Sequence, residues 1–226
     1  MVARLVVQTV LWLASMGVLL FGAAGTLAWP AAWWYLIELG ALSLWTGLWL
    51  ARRDPGLLAE RLAPFVQKQQ SRWDRFFMAA VACVWCGWLV VMGLDAMRFR
   101  ASAPLPVALV SLGSLCVLVS IVMCRFVFAA NSYAAPVVKI QASRGHKVID
   151  SGPYAYVRHP MYSAALLFFV GTPLLLGSRW GLAFVPAMAL GLGWRAVREE
   201  RLLAEQLDGY TGYMARVRYR FIPLIW

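Results

Sequence analysis

The sequence predicts an all-α polytopic membrane protein, and two observations carry that prediction. Hydrophobic residues make up 62% of the 226 residues, whereas charged residues make up only 14%. Several apolar runs also reach about 20 residues, the length that a helix needs to cross the roughly 30 Å hydrocarbon core of a bilayer. We therefore expect five or six transmembrane helices, the count depending on two short segments near the C-terminus.

Four apolar runs fill the first part of the chain. They predict membrane helices over residues 5–28, 31–51, 76–96 and 104–130. The first run is longer than the roughly 7 to 15 apolar residues of a signal peptide, so we interpret it as a retained membrane helix. Residues 1–130 are thus predicted to form a four-helix transmembrane scaffold that a polar loop, 52–75, divides.

Two shorter apolar segments follow, over residues 162–176 and 180–197, and Gly177-Ser178-Arg179 separates them. This pattern predicts a helical hairpin over residues 160–197. Each segment carries a proline, which a membrane helix tolerates when its neighbours satisfy the freed backbone groups. We expect residues 131–226 to form a second region that contains this hairpin and a polar tail.

Positive charge is distributed unevenly between the two sides of the predicted helices. Of the 21 Lys and Arg residues, only Arg98, Arg100 and Arg179 fall on one side. Basic loops favour the cytoplasmic side, so both termini, loop 52–75 and the segment before the hairpin are predicted to be cytoplasmic. Basic loops beside anionic lipid also account for the net charge of +11, and we expect no nucleic-acid partner.

The polar loop 52–75 contains a helix-start signal. Asp54-Pro55-Gly56 precedes Leu57, Leu58, Arg61 and Leu62, which follow helical spacing. We expect a short helix that rests its apolar side at the lipid headgroups, either as an anchor or as one wall of an entrance for a lipophilic substrate.

Some polar residues lie within the apolar runs and receive structural interpretations. Glu38 is expected near the membrane interface, because Trp and Tyr residues precede it. Asp95 is predicted to pair with Arg98 one helical turn later. Cys83 and Cys86 form a Cys-x-x-Cys without a second ligand pair, so we predict packing rather than a metal site.

Candidate functional residues gather in the segment before the hairpin and return after it. Residues 152–162 read Gly-Pro-Tyr-Ala-Tyr-Val-Arg-His-Pro-Met-Tyr, and Glu199-Glu200 follows the second hairpin helix. A hairpin brings these carboxylates back to the membrane face that carries His159 and Tyr162. Polar groups beside a membrane are costly to keep, which favours a binding role.

Carboxylates beside aromatic rings suit a ligand that combines hydroxyl or amine donors with a cationic centre. Adenosyl sulfonium cofactors fit this description, and so do other nucleotides. Gly191-Leu192-Gly193 lies within an apolar helix and lacks the strand context of a dinucleotide fingerprint, so a Rossmann domain is excluded.

The second half of the chain contains the motifs His146-Lys147-Val148-Ile149, Gly152-Pro153-Tyr154, Arg158-His159-Pro160-Met161-Tyr162, Glu199-Glu200 and the tail with Tyr210, Tyr213, Arg216-Val217 and Pro223. With this set it resembles the isoprenylcysteine carboxyl methyltransferase and phospholipid methyltransferase family of integral membrane enzymes. Residues 54–61 and Trp73-Asp74-Arg75 are similar to a loop of bacterial members. The resemblance thereby implies an inner-membrane location with the active site at the cytoplasmic face.

The resemblance implies S-adenosyl-L-methionine as the cofactor and a lipophilic methyl acceptor, in first place a carboxylate. Arg195 would orient the acceptor, and Lys139 or Gln141 are further candidates. The cofactor would bind to His146, Lys147, Val148, Ile149, Tyr154, His159, Pro160, Met161, Tyr162 and Glu199 or Glu200.

Several alternatives stay open at this point. The acceptor could be a phospholipid amine, which would need a general base, or a thiol, whose thiolate would need none, as a carboxylate needs none. Two other classes are an NADPH-dependent membrane reductase and a non-catalytic lipid-binding protein. Membrane lipids are the expected surroundings, and no obligate protein partner is predicted.

Overall fold

The structure, a computed structural model, describes residues 1–64, 66–67 and 70–226. This part of the chain contains helices and connecting segments and no β-strand. The α-helices are α1 (Val2–Ala24), α2 (Pro30–Arg53), α3 (Pro55–Arg61), α4 (Arg72–Gly93), α5 (Val107–Ala130), α6 (Pro160–Leu176), α7 (Arg179–Ala183), α8 (Val185–Gln206) and α9 (Tyr210–Arg216). A π-helical turn, Leu94–Arg98, extends α4.

Four segments of the described chain are long and apolar enough to cross a membrane: Val2–Ala24, Arg72–Arg98, Val107–Ala130 and Arg179–Gln206. Helix α6 is apolar but shorter, at 17 residues. Helix α2 has 24 residues, and its Trp residues and Glu38 make it less hydrophobic. The prediction of an all-α polytopic membrane protein is confirmed.

Helices α5 and α6 approach each other backbone to backbone, and two glycines permit this contact. A Cβ at Gly113 would lie 2.3 Å from Leu175 N, and a Cβ at Gly171 would lie 2.8 Å from Gly113 O. Small residues commonly allow membrane helices to pack this closely. Helix α6 is therefore fixed against α5, and its N-terminal end lies beside the C-terminal end of α5.

The hairpin predicted over residues 160–197 is present. Gly177 ends α6 in a left-handed conformation at φ 77°, and the Ser178 hydroxyl caps the next helix by accepting from Gly181 N at 2.9 Å. Pro173 lies inside α6, whereas Pro186 lies in the first turn of α8, where a proline costs no backbone hydrogen bond. The second predicted segment, 180–197, is divided between α7 and α8, and α8 continues to Gln206.

Hydrogen bonds between helix ends and the adjoining loops place the basic segments at one end of the bundle. Arg4 of α1 donates to Leu62 O at 2.6 Å, and Arg61 donates to Ala134 O at 3.0 Å. We call this the basic end, since it contains the ends of α2, α5 and α8 with their Arg residues. The opposite end carries Arg98, Arg100 and Arg179, as the charge pattern predicted. Part of loop 52–75, namely Phe65, Lys68 and Gln69, lies outside the described residues.

Two local predictions were wrong. Asp95 does not pair with Arg98: its carboxylate is buried and accepts from Ser102 N, from the hydroxyls of Ser102 and Ser178, and from Trp180 N at 2.6–3.2 Å. Four neutral donors satisfy the buried charge from adjoining turns, which a helix-surface pair would not do.

The prediction that the apolar side of α3 rests at the lipid headgroups was also wrong. Leu57 and Leu58 are buried in the protein among side chains that include Val127, Phe128 and Ala134. Helix α3 thus covers the end of α5 and the segment after it. Glu38, in contrast, has a structural partner as expected, since the Ser114 hydroxyl donates to its carboxylate at 2.8 Å.

Candidate active site

A cavity opens at the basic end between the segment that follows α5, the start of α6, the end of α8, and α9. Its volume is about 100 Å³. Its lining includes ten of the predicted residues: His146, Lys147, Val148, Ile149, Tyr154, His159, Met161, Tyr162, Arg195 and Glu199. The hairpin brings residues that are distant in sequence to this one place.

Glu199 reaches the cavity and is held on one side by an aromatic pair. The Tyr162 hydroxyl donates to Glu199 Oε2 at 2.6 Å. The His159 ring stacks on the Tyr162 ring, with a centroid distance of 5.1 Å and an angle of 3°. Glu199 Oε1 has no hydrogen-bond partner within the described part of the chain, so one carboxylate oxygen remains available to a ligand.

Glu200 has a different environment from its neighbour. It is buried, and both oxygens are paired: Oε1 with Arg158 Nε at 2.6 Å and His159 Nε2 at 3.2 Å, and Oε2 with Arg220 Nε at 2.9 Å. Arg158 also donates to the carbonyls of Val217 and Arg218. Glu200 thus joins α8 to the start of α6 and to the tail.

Neither Glu200 nor Pro160 belongs to the cavity lining. Pro160 is the first residue of α6, where its fixed φ suits the start of a helix. Of the two candidate carboxylates, the structure therefore places Glu199 in the cavity and Glu200 behind it.

Arg195 lies one helical turn before Glu199, and its guanidinium is fixed on several sides. Nε donates to Asp74 Oδ1 at 3.1 Å, and Nη2 donates to Pro136 O at 2.8 Å. The rings of Phe77 and Tyr162 lie 5.4 and 5.8 Å from the guanidinium carbon. Nη1 has no hydrogen-bond partner among the described residues, which leaves donors for a ligand.

His146 forms part of the opposite wall, in the loop after α5. Its Nδ1 accepts a hydrogen bond from Gln141 N at 3.3 Å, and its ring packs 4.5 Å from the Tyr133 ring. Burial lowers the pKa of His146 below its usual range; the nearby Glu199 opposes this shift and Arg144 adds to it. A neutral ring whose Nδ1 accepts must carry its proton on Nε2, so His146 can donate to a ligand.

Tyrosines close the side of the cavity near α9. Asn131 Nδ2 donates to the Tyr154 hydroxyl at 2.8 Å, and the Tyr213 hydroxyl donates to Tyr154 O at 2.8 Å. Burial raises the pKa of Tyr154, Tyr210 and Tyr213 above the usual range. These phenols are therefore neutral hydrogen-bonding groups at physiological pH.

Helix α3 supports the loop that carries His146. Glu60 accepts from Lys139 Nζ at 2.6 Å, and Asp54 lies 3.9 Å from Arg144 Nη2. Lys139 itself lines the cavity, whereas Gln141 is buried and donates to Tyr133 O. Since α3 follows α2 directly, the scaffold and the loop are coupled through ion pairs.

Sequence reasoning missed several contributors to this site. Asp74 holds Arg195 without lining the cavity, and Tyr133 packs on His146. Leu203 and Leu207 also line the cavity. Helical spacing could have found Leu203, because it continues the series Arg195, Glu199 at intervals of four. Nothing in the sequence pattern paired Asp74 with Arg195, which is 121 residues away.

Comparison with known proteins agrees with this architecture. Residues 109–205 match the family model of the isoprenylcysteine carboxyl methyltransferase (ICMT) family. The family resemblance is confirmed. The matched residues run from α5 through the cavity loop and the hairpin to the end of α8, and include Arg195 and Glu199.

A curated relative is the protein-S-isoprenylcysteine O-methyltransferase of Schizosaccharomyces pombe, which is 30% identical over 122 residues. The alignment covers 51% of this chain and 49% of the relative, so it spans about half of each protein.

A solved structure of the eukaryotic intramembrane Ras methyltransferase ICMT superposes on 98% of this chain and 87% of its own, with a TM-score of 0.50 at 23% identity. This likeness concerns the fold, and it extends over both the ICMT-matched region and the N-terminal helices.

Proposed function

We propose that this chain is an S-adenosylmethionine-dependent membrane methyltransferase that acts on the carboxylate of a lipophilic acceptor, in the manner of isoprenylcysteine carboxyl methyltransferases. The observation that carries the proposal is the pairing, one helical turn apart in one cavity, of an available carboxylate oxygen on Glu199 and an available guanidinium edge on Arg195. The first suits a ligand with hydroxyl or amine donors, and the second suits an anion.

The residues of the cavity fit the cofactor. Glu199 Oε1 can accept from a ribose hydroxyl or an amine, and His146 Nε2 can donate to a carboxylate or a ring nitrogen. The ring of Tyr154 offers a face that attracts a cationic centre, and the stacked rings of His159 and Tyr162 complete that side of the wall. When bound, S-adenosylmethionine supplies an electrophilic methyl group. Lys147, Val148, Ile149 and Met161 complete the proposed wall.

Arg195 is the residue we place on the acceptor. A guanidinium has five N–H donors, and Asp74 and Pro136 use one each, on Nε and Nη2. The remaining donors lie on Nη1 and Nη2, the two nitrogens of the end edge, which can bind both oxygens of one carboxylate. A carboxylate brings its own lone pair, so no side chain has to remove a proton. Catalysis then depends on orientation and on exclusion of water.

The proposed site faces the cytoplasm. This orientation follows from the basic end, which contains most of the Lys and Arg residues beside the cavity. A polar cofactor would enter from the cytoplasm, while a lipophilic acceptor would enter from the bilayer. An inner-membrane location in bacteria is part of the same proposal.

The first experiment is calorimetric titration of S-adenosylhomocysteine into the detergent-purified protein, with NADPH as the competing ligand. We expect the adenosyl compound to bind and NADPH not to bind, and we expect Glu199→Ala to abolish the heat. Glu205→Ala is the matched control, since Glu205 is exposed on the same helix. NADPH binding alone would favour a reductase, and silence from both ligands would favour a lipid-binding role.

The acceptor class is tested by transfer of a labelled methyl group to N-acetyl-S-farnesylcysteine, with its carboxamide and a phosphatidylethanolamine as comparisons. We expect base-labile product only from the free carboxylate. Methylation of the amine lipid, or of an added lipophilic thiol, would replace the carboxylate in this proposal with that acceptor. Arg195→Ala is expected to reduce transfer at least tenfold, and full activity in this variant would remove Arg195 from the mechanism.

A further inference from the structure

Asp74 is the most deeply buried carboxylate near the cavity, with an exposed fraction of 0%. It lies in the first turn of α4, whereas Arg195 lies in α8, and the loop after α5 passes between them. Asp74 does not reach the cavity itself. Its role must therefore be exerted through the groups that it binds.

Both oxygens of Asp74 are occupied. Oδ1 accepts from Arg195 Nε at 3.1 Å, and Oδ2 accepts from Gln70 Nε2 at 2.8 Å and from Val138 N at 3.0 Å. Pro136 O, two residues from Val138, accepts from Arg195 Nη2 at 2.8 Å. One carboxylate and one carbonyl thus occupy the same edge of the guanidinium.

The faces of the guanidinium are also restricted. Phe77, on the same helix as Asp74, lies 5.4 Å from its carbon, and Tyr162 lies 5.8 Å away. The end edge, formed by Nη1 and the second donor of Nη2, has no hydrogen-bond partner within the described part of the chain. The side chain therefore has one direction in which it can bind another group.

Arg195 has a competing partner within its own helix. Glu199 is four residues later, a spacing at which two side chains are neighbours on the helix surface. The structure has no ion pair between them among its described residues; Glu199 binds Tyr162 instead, and Arg195 binds Asp74. Each of these two opposite charges therefore has a hydrogen-bond partner other than its neighbour on the helix.

We infer that Asp74 is a positioning residue that directs the end edge of Arg195 to the acceptor carboxylate and prevents Arg195 from pairing with Glu199. This inference rests on the proposed function, since it assigns the open edge of Arg195 to the acceptor. Without Asp74 the guanidinium would turn to Glu199, and one charge would neutralise the other. The acceptor would lose its anchor while the cavity kept its shape.

The inference is tested first without any acceptor. In protein labelled with ¹⁵N-arginine, Arg195 should give an Nε–H signal with slow solvent exchange, assigned by its loss in Arg195→Lys. Asp74→Asn should increase that exchange rate at least tenfold. Asp95→Asn is the matched control, because Asp95 is a buried aspartate at the opposite end and should leave the signal unchanged. An unchanged signal in Asp74→Asn would overturn the inference, whatever the enzyme's activity.

The second test separates positioning from a merely structural role. With the farnesylcysteine acceptor, Asp74→Asn should lower kcat/KM at least tenfold and raise the acceptor KM, while the S-adenosylhomocysteine Kd changes less than threefold. In an Arg195→Lys background, Asp74→Asn should lower kcat/KM less than threefold, since Asp74 acts through Arg195. Equal costs in both backgrounds would assign Asp74 a structural role only.

The two failures are distinguishable. A wild-type protein that binds no adenosyl ligand contradicts the proposed function, whereas an active wild type with additive losses contradicts only the inference about Asp74. If Asp74→Asn does not fold, Asp74→Glu keeps the charge and displaces it by one methylene. The same signal and the same kinetic cycle then apply, with the same expected direction.

Discussion

The two ends of the bundle each bury an aspartate, yet they satisfy its charge in different ways. Asp95 is held by hydroxyls and backbone N–H groups of nearby turns, all of them neutral. Asp74 instead binds a guanidinium from another helix. At the Asp95 end, neutral donors join the helix ends. At the basic end, oppositely charged side chains pair with one another around an open cavity.

Glu199 and Glu200 show a similar contrast at two adjacent positions, one carboxylate facing the cavity and the other fully paired inside the protein. The carboxylate of Glu200 binds two arginines and a histidine and is buried, while that of Glu199 binds a single tyrosine and keeps one oxygen available. Successive residues of a helix point about 100° apart, so one helix can serve the framework and the cavity at adjacent positions.

The largest effect is expected from Glu200→Gln. The substitution leaves the Arg158 and Arg220 guanidinium groups without a countercharge, and breaking a buried ion pair in this way costs about 3 kcal/mol. Denaturant unfolding in detergent measures the loss. Exposed Glu205→Gln is the control and should unfold like the wild type. Wild-type stability of Glu200→Gln would refute its role in joining α8 to the tail.

Glu199→Gln should affect binding rather than stability. We expect S-adenosylhomocysteine affinity to fall about 30-fold, or about 2 kcal/mol, because a neutral amide replaces the available carboxylate oxygen. Unfolding should change little. Calorimetry and unfolding on the same preparation separate the two glutamates, and the opposite pattern, normal affinity with lost stability, would contradict this assignment.

Asp95→Asn should cost about 1 kcal/mol of stability, since the amide keeps one acceptor oxygen while its NH₂ group meets donors. The ligand affinity should equal that of the wild type, because Asp95 lies at the end of the bundle away from the cavity. A change in the S-adenosylhomocysteine Kd would show that the two ends are coupled, and it would contradict the view that they are independent.

The smallest effect is expected from pH. Burial holds the pKa of His146 below its usual value near 6.5, so the folded protein binds fewer protons than the unfolded chain just below that pH. The contribution of His146 to stability is therefore constant above pH 6.5. It decreases as the pH falls from 6.5 to the lowered pKa of the folded protein. Ligand affinity that depends on neutral His146 should decrease only as the pH falls through the lowered pKa itself.

His146→Asn is the control for the pH prediction, because it removes the titrating ring from the cavity. Calorimetric titrations between pH 8 and pH 5 should give a flat profile for this variant in the range where the wild-type affinity declines. A decline of equal size in the variant would assign the pH dependence to another group.

The sequence predicted the parts of this molecule that repeat a simple pattern. Apolar runs gave the membrane helices, and the hairpin with Glu199 after it placed the cavity residues at one end. Contacts between distant segments were not accessible in this way. The Asp95 carboxylate was assigned to Arg98 because local spacing was the only guide, whereas Ser178, 83 residues away, supplies one of its donors.

The same reason explains the misplacement of α3. Its leucines suggested a helix on the membrane surface, and only the tertiary arrangement shows that the end of α5 and the following loop cover them. Asp74 lies in the first turn of α4, where an acidic residue is ordinary, so its sequence position alone did not indicate a role at the cavity.

The glycine contact between α5 and α6 limits where the selectivity of the proposed methyltransferase could be changed. A Cβ at Gly113 or Gly171 would clash with backbone atoms of the other helix, so the seam between these helices accepts no larger residue at either position. The cavity wall is formed instead by side chains that include Ala135, Val137 and Leu203. Libraries aimed at new acceptors should diversify that wall and leave the seam untouched.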